Sequence, residues 1–208
     1  MAYKVLIVDD QLLPRQYFEN VVNGSERYEL VASIDSASVA DAYCAKSKID
    51  LILMDIVMAS GMNGLEAAHR IKKSYPGTRI IAVTSMPDAR FLAGARDAGV
   101  DSFWYKEVQD APMLEVMDRT MAGEGVWPDG SPVVPFGCSD SRVLTERELD
   151  VLRLLAKGYT NQEIGEALEV SVNTVRFHIA NMLSKTGCTS RAELAITAAK
   201  SGIVISEQ

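Results

Sequence analysis

Lys4-Val-Leu-Ile-Val-Asp-Asp10 is a short, continuously apolar run that closes on two carboxylates. A run of this length bounded by polar residues reads as a strand buried on both faces, as in a parallel sheet. A second run, Ile49-Asp-Leu-Ile-Leu-Met-Asp55, closes on a single acid. In an open parallel sheet the carboxyl ends of the strands face one crevice, where ligands bind. Asp9, Asp10 and Asp55 would then meet at one rim, and three like charges there repel unless a hard cation sits among them. Oxygen ligands of this kind suit Mg2+. A strand-end aspartate alone is an ordinary turn former, so the weight rests on the set.

Two further runs extend the pattern. Arg79–Ser85, RIIAVTS, is a buried strand ending in a hydroxyl, Thr84, and Ser102–Lys106, SFWYK, is an aromatic strand ending in an ammonium, Lys106. Strands are expected at Lys4–Val8, Tyr28–Ser33, Asp50–Met54, Arg79–Thr84 and Ser102–Tyr105. Helices are expected at Pro14–Asn23, Ser38–Ser47, Gly64–Ser74, Asp88–Asp97 and Gln109–Met121. This alternation predicts a doubly wound α/β fold around a five-stranded parallel sheet. No G-x-G-x-x-G follows the first strand, which argues against a dinucleotide fold.

An acid pair, a single acid, a hydroxyl and a lysine at strand ends together resemble the receiver domain of bacterial two-component response regulators, which is flavodoxin-like, over about Met1–Met121. The resemblance implies that Asp55 accepts a phosphoryl group and that Mg2+ is held by Asp9, Asp10, Asp55 and the carbonyl of Val57. It further implies that Thr84 and Lys106 bind phosphoryl oxygens and that Phe103 is the switch aromatic. The chemistry agrees, since a carboxylate nucleophile yields an acyl phosphate and a metal with an ammonium stabilises the transferring oxygens. The chain departs from the receiver pattern in three places. Asp55-Ile-Val-Met-Ala-Ser-Gly-Met-Asn-Gly64 lacks the common proline and is one residue longer. Glu107 stands where many receivers have proline, so a trans peptide or a strained site is expected there. Phe103 replaces the commoner tyrosine.

Residues 123–142, GEGVWPDGSPVVPFGCSDSR, have no helical period and are rich in Gly, Pro and Ser, which reads as a linker. The organisation expected is therefore 1–122, a linker at 123–142, and a small all-α domain at 143–208. In the last part Thr145 with Glu148, and Thr160 with Glu163, form capping boxes. Ser171 caps a third helix after a turn of helix-turn-helix length. At 100° per residue, Val172, Val175, Ile179, Met182 and Leu183 share one arc of this third helix, its core face. Asn173, Arg176, Phe177, Ala180 and Ser184 share another. An outward aromatic beside Arg and Asn suits a helix that enters the major groove, although a face packed on another protein surface reads the same way. The stretch from Thr145 to Leu194 resembles the LuxR-type DNA-binding domain. By that resemblance Asn173, Arg176, Phe177 and Ala180 face bases, and Thr160, Ser171, Thr174 and Lys185 lie near phosphates.

The 208 residues carry a net charge of −7 and 48% hydrophobic residues. From Ser141 onward there are 8 Lys and Arg against 8 Asp and Glu, so the whole excess of acid lies in the first part. Cys44, Cys138 and Cys188 are scattered without metal-ligand spacing and read as reduced thiols. With no apolar stretch near ~20 residues, the protein is expected to be soluble and cytoplasmic. The expected function is a phosphorylation-controlled transcription regulator that takes its phosphoryl group from a sensor histidine kinase, dimerises and binds double-stranded promoter DNA. Three alternatives stay open: a regulator working without phosphate, an acyl-phosphate phosphatase, and a module whose C-terminal helices bind protein.

Overall fold

The structure, a computed structural model, describes residues 2–58, 62–86, 88–106 and 111–201. These divide into two compact units: the first runs to Thr84 and resumes over Asp88–Ser131, and the second takes Ser85 and Met86 and then the chain from Pro132.

The first unit is a parallel sheet of β1 (Tyr3–Val8), β2 (Tyr28–Ile34), β3 (Leu51–Asp55), β4 (Arg79–Thr84) and β5 (Ser102–Tyr105), ordered β2-β1-β3-β4-β5. Helices α1 (Leu12–Asn23), α2 (Ala40–Lys46), α3 (Gly64–Ser74), α4 (Ala89–Asp97) and α5 (Met113–Met121) alternate with the strands. Successive strand residues point to opposite faces, so the apolar runs feed two cores. Leu6, Val8, Ile52, Met54, Ile80 and Ala82 pack with Cys44, Ile71 and Ala95 of α2, α3 and α4. Val5, Ile7, Leu51, Leu53, Ile81 and Val83 pack with Phe18, Val22, Val116 and Met117 of α1 and α5. This two-sided burial is why the strands read as unbroken apolar runs. The fifth helix starts at Met113 after Pro112, later than the expected Gln109, which lies outside the described residues.

Within the stretch expected to be a linker, the chain after α5 returns along β5. Phe103 N–H donates to the Val126 carbonyl at 2.8 Å, and Val126 N–H donates to Ser102 Oγ at 3.0 Å. The Trp127 ring stacks on Phe103 with centroids 6.2 Å apart, and the Arg96 guanidinium lies 4.1 Å above Trp127. Further on, Phe136 is fully buried in the core of the second unit.

That unit carries a hairpin, β6 (Pro135–Phe136) with β7 (Ser139–Asp140), and then α6 (Glu146–Ala156), α7 (Asn161–Ala167), α8 (Val172–Thr186) and α9 (Arg191–Lys200). Both capping boxes form as expected, and Ser171 and Ser190 cap α8 and α9. Val175, Ile179 and Met182 of the predicted arc are buried, with Val172 and Leu183 half-buried at its margins. In the turn before α8, Glu169 is held at φ 54°, the left-handed region.

Candidate functional site

The ends of four strands bring the predicted residues to one rim of the sheet. Asp9 follows β1, Asp55 ends β3, Thr84 ends β4 and Lys106 follows β5. Carboxylate oxygens of Asp9, Asp10 and Asp55 lie within 4.8 Å of one another. Lys106 Nζ sits 2.9 Å from Asp55 Oδ2 and 2.6 Å from Asp9 Oδ2. Backbone amides fix the remaining oxygens: Gln11 N–H donates to Asp9 Oδ1 at 2.9 Å and Val57 N–H to Asp55 Oδ1 at 3.1 Å. The second bond sets the Val57 peptide beside the cluster. Arg15 Nη1 donates to the Asp9 carbonyl at 2.8 Å. Thr84 is fully buried, and its carbonyl accepts the Lys106 N–H at 2.8 Å, tying hydroxyl and ammonium to one place.

Burial dominates the electrostatics. Desolvation raises the carboxyl of Asp55 above its usual range, outweighing the opposing pull of Lys106, and the same holds for Asp9. Burial opposes the charge on Lys106 as well, but the Asp55 and Asp9 carboxylates outweigh it and hold the ammonium pKa above its ordinary value. Three carboxylates against one ammonium leave an excess of negative charge in a nearly dry site. The oxygen donor set and this imbalance both fit a divalent cation of the Mg2+ type.

Gly64 backs Asp55. A Cβ placed on it would come within 1.9 Å of the Asp55 carbonyl oxygen, so only glycine lets α3 start this close to the end of β3. Asn63 caps that helix by accepting the Glu66 N–H at 2.9 Å. Of the altered loop, Ala59, Ser60 and Gly61 lie outside the described residues, as does Glu107 with the peptide expected to be trans or strained. Phe103 is 1% exposed and meets Tyr105 edge-on, ring centroids 5.0 Å apart.

In the second unit Asn173, Arg176, Phe177 and Ala180 are all exposed on one face of α8. Arg176 Nη1 lies 3.4 Å from Asn173 Oδ1. Thr160 and Ser171 are exposed caps of α7 and α8, and the Thr174 hydroxyl lies 2.8 Å from that of Ser171. Lys185, expected near phosphates, has a protein partner in this structure. Its Nζ is 2.8 and 2.7 Å from the two carboxylate oxygens of Glu148, which is 2% exposed and needs a counter-charge. Glu148 therefore does double duty, in a capping box and in an ion pair 37 residues long-range. A cap motif signals the first role, and nothing local signals the second.

Two family models match the chain, the response regulator receiver domain over residues 5–118 and the bacterial regulatory proteins of the luxR family over 142–198. The chain belongs to the response regulators with a receiver and a LuxR-type helix-turn-helix. Response regulator protein VraR of Staphylococcus epidermidis is 34% identical over 209 residues, covering 98% of this regulator and 100% of the relative, and VraR of Staphylococcus aureus gives the same figures. Among solved structures, RcsB of Salmonella typhimurium aligns at TM-score 0.56 and 18% identity over 96% of this chain and 98% of its own. The response regulator ChrA of a heme-sensing two-component system aligns at 0.51 and 21%, over 96% and 97%. At these identities the solved structures speak for the fold. The regulator is a phosphorylation-regulated, DNA-binding transcription factor of the two-component class rather than an enzyme. Among its described residues no helix is long and apolar enough to cross a membrane.

Proposed function

We propose that Asp55 is the phosphoacceptor, with a sensor histidine kinase as donor, and that phosphorylation drives dimerisation and promoter binding. The observation that carries the reading is the meeting of Asp9, Asp10 and Asp55 within 4.8 Å beside the ammonium of Lys106. Asp9, Asp10, Asp55 and the Val57 carbonyl would hold Mg2+, which when bound neutralises charge on the phosphoryl oxygens. One Asp55 oxygen forms the new bond to phosphorus while the bond from phosphorus to the donor's histidine nitrogen breaks, leaving an acyl phosphate. Lys106, now paired with Asp55, then pairs with a phosphoryl oxygen, and the Thr84 hydroxyl donates to another. Buried Phe103 responds to the movement of Thr84. The phosphoryl group carries about −1.5 to −2 where the carboxylate carried −1, and this change in size and charge is the signal.

Exposed Asn173, Arg176, Phe177 and Ala180 are proposed to meet bases, with Thr160, Ser171 and Thr174 near phosphates. Lys185, committed to Glu148, is assigned to holding α8 on α6 instead.

Incubation with acetyl phosphate and Mg2+ should add one phosphoryl group by intact mass, and none in Asp55→Asn or after chelation with EDTA. Phosphoryl uptake that persists in Asp55→Asn would move the acceptor elsewhere.

A further inference from the structure

Phe177 is 62% exposed on the face of α8 that the proposed function turns toward bases. Resting on that reading, we infer that Phe177, with the Ala180 methyl beside it, recognises thymine methyl groups, so that the operator half-site carries thymine next to the base pair read by Arg176.

The argument starts from charge. Helix α8 holds two side chains that are cationic at neutral pH, Arg176 and Lys185. Lys185 is held by Glu148 through both carboxylate oxygens. Arg176 is then the cation this helix has available for base edges, and a guanidinium there pairs best with guanine. From Ser141 onward the chain is neutral, with 8 basic and 8 acidic residues. Discrimination beyond one guanine has to come from contacts that carry no charge.

The geometry supplies such contacts. At 100° per residue, Arg176, Ala180 and Phe177 fall in that order around an arc of about 100°, with Asn173 and Ser184 between Ala180 and Phe177. Phe177 and Ala180 are separated by about 4.5 Å along the helix axis, little more than the rise of one base pair of about 3.4 Å. Phe177 also lies in the first turns of α8, the part of a recognition helix that reaches base edges. In the major groove the one apolar group that distinguishes a base pair is the thymine C5-methyl, and Phe and Ala are side chains that contact it. An aromatic ring left in water at this place in the helix gains by covering that methyl and loses against the exocyclic amine of cytosine.

The test uses full-length protein and a high-affinity duplex selected from a randomised pool. Each thymine is replaced in turn by uracil, which removes only the methyl. Burial of one methyl corresponds to about a four-fold change in affinity, so one or two positions next to the guanine contact should weaken by about that factor. Phe177→Asn, at an exposed site that leaves the core intact, should lose the uracil effect at the position its ring covers, and Phe177→Asn with Ala180→Gly should bind the thymine and uracil duplexes equally. A duplex bound specifically yet indifferent to every uracil, or uracil sensitivity that survives undiminished in the double variant, would overturn the inference while leaving DNA binding in place. Binding without any sequence preference would overturn the DNA-reading assignment of α8 and this inference with it.

Discussion

Gly64 takes no part in phosphoryl transfer, yet the site depends on its having no side chain. Its α carbon lies against the Asp55 carbonyl, where a Cβ would come within 1.9 Å of backbone oxygen. Backbone, unlike the end of a flexible side chain, cannot turn aside. Gly64→Ala is therefore expected to push the end of β3 away from Asp9 and Lys106. Overpacking of this kind costs about 1–3 kcal/mol, and a displacement of about 1 Å at a reacting atom can slow a reaction about a hundred-fold. Phosphoryl uptake from acetyl phosphate, followed by mass against time beside a thermal melt, should show both losses. Uptake at the normal rate would mean that the loop after Asp55 absorbs the methyl.

At the scale of elements, α6 and α8 are joined by the Lys185–Glu148 pair and the turn before α8 contains a strained residue. Burial raises the Glu148 carboxyl, but hydrogen bonds from Lys185 and Thr145 outweigh it, so the net pKa is lower than the ordinary 4.5. A group depressed in this way contributes stability that is complete above its unfolded value and lost as pH falls through the folded one. The wild-type contribution should thus hold down to about pH 4.5 and fade in stronger acid. In Lys185→Ala the burial remains with fewer compensating bonds. The acid limb of the melting-temperature curve should move to higher pH, with a loss near neutrality of about 1–2 kcal/mol, reduced by the partial exposure of Lys185. The salt dependence of DNA binding should stay as in the wild type, and a shallower slope would return Lys185 to the phosphates. Glu169→Gly should do the opposite to stability. Relief of a left-handed non-glycine residue, offset by the entropy of an added glycine, leaves a net gain of about 1 kcal/mol or less in chemical denaturation.

These elements differ in how far they can be read ahead of the structure. Strands β1, β3, β4 and β5 are legible because each is largely buried on both faces and so appears as an apolar block, whereas β2, an outer strand with exposed Glu29, is read from its place in the alternation. Asp9, Asp55, Thr84 and Lys106 are legible because each closes or follows such a block. The core face of α8 follows from its 3.6-residue period alone. What escapes are contacts made by folding. Lys185 has no local partner and meets Glu148 only when α8 crosses α6, and Trp127 meets Phe103 only when the chain turns back after α5. Glu169 escapes for another reason, since glycine is the residue that would have announced its backbone conformation.

At the scale of the whole molecule, the acidic excess lies before Ser141, and the helical part of the DNA-binding unit, from Ser141 onward, is neutral. One such unit should bind weakly, and two brought together gain by effective concentration. Sedimentation should show a monomer that becomes a dimer with acetyl phosphate and Mg2+, with DNA affinity rising in parallel. A monomer that gains affinity without associating would favour a device within one chain.

The return of the chain along β5 also decides how the regulator can be cut. β5 is an outer strand of the sheet, and a bare outer strand offers its amides to any neighbouring chain. Val126 takes the Phe103 N–H, while Trp127 and Arg96 roof the aromatic ring beside it. A fragment ending at residue 122, just past α5, would carry the full phosphoryl site and a raw sheet edge. It should melt lower than a fragment ending at Ser131 and scatter light as its concentration rises, whereas the longer fragment stays dispersed. Equal melting and equal clarity of the two would show that those nine residues shield nothing.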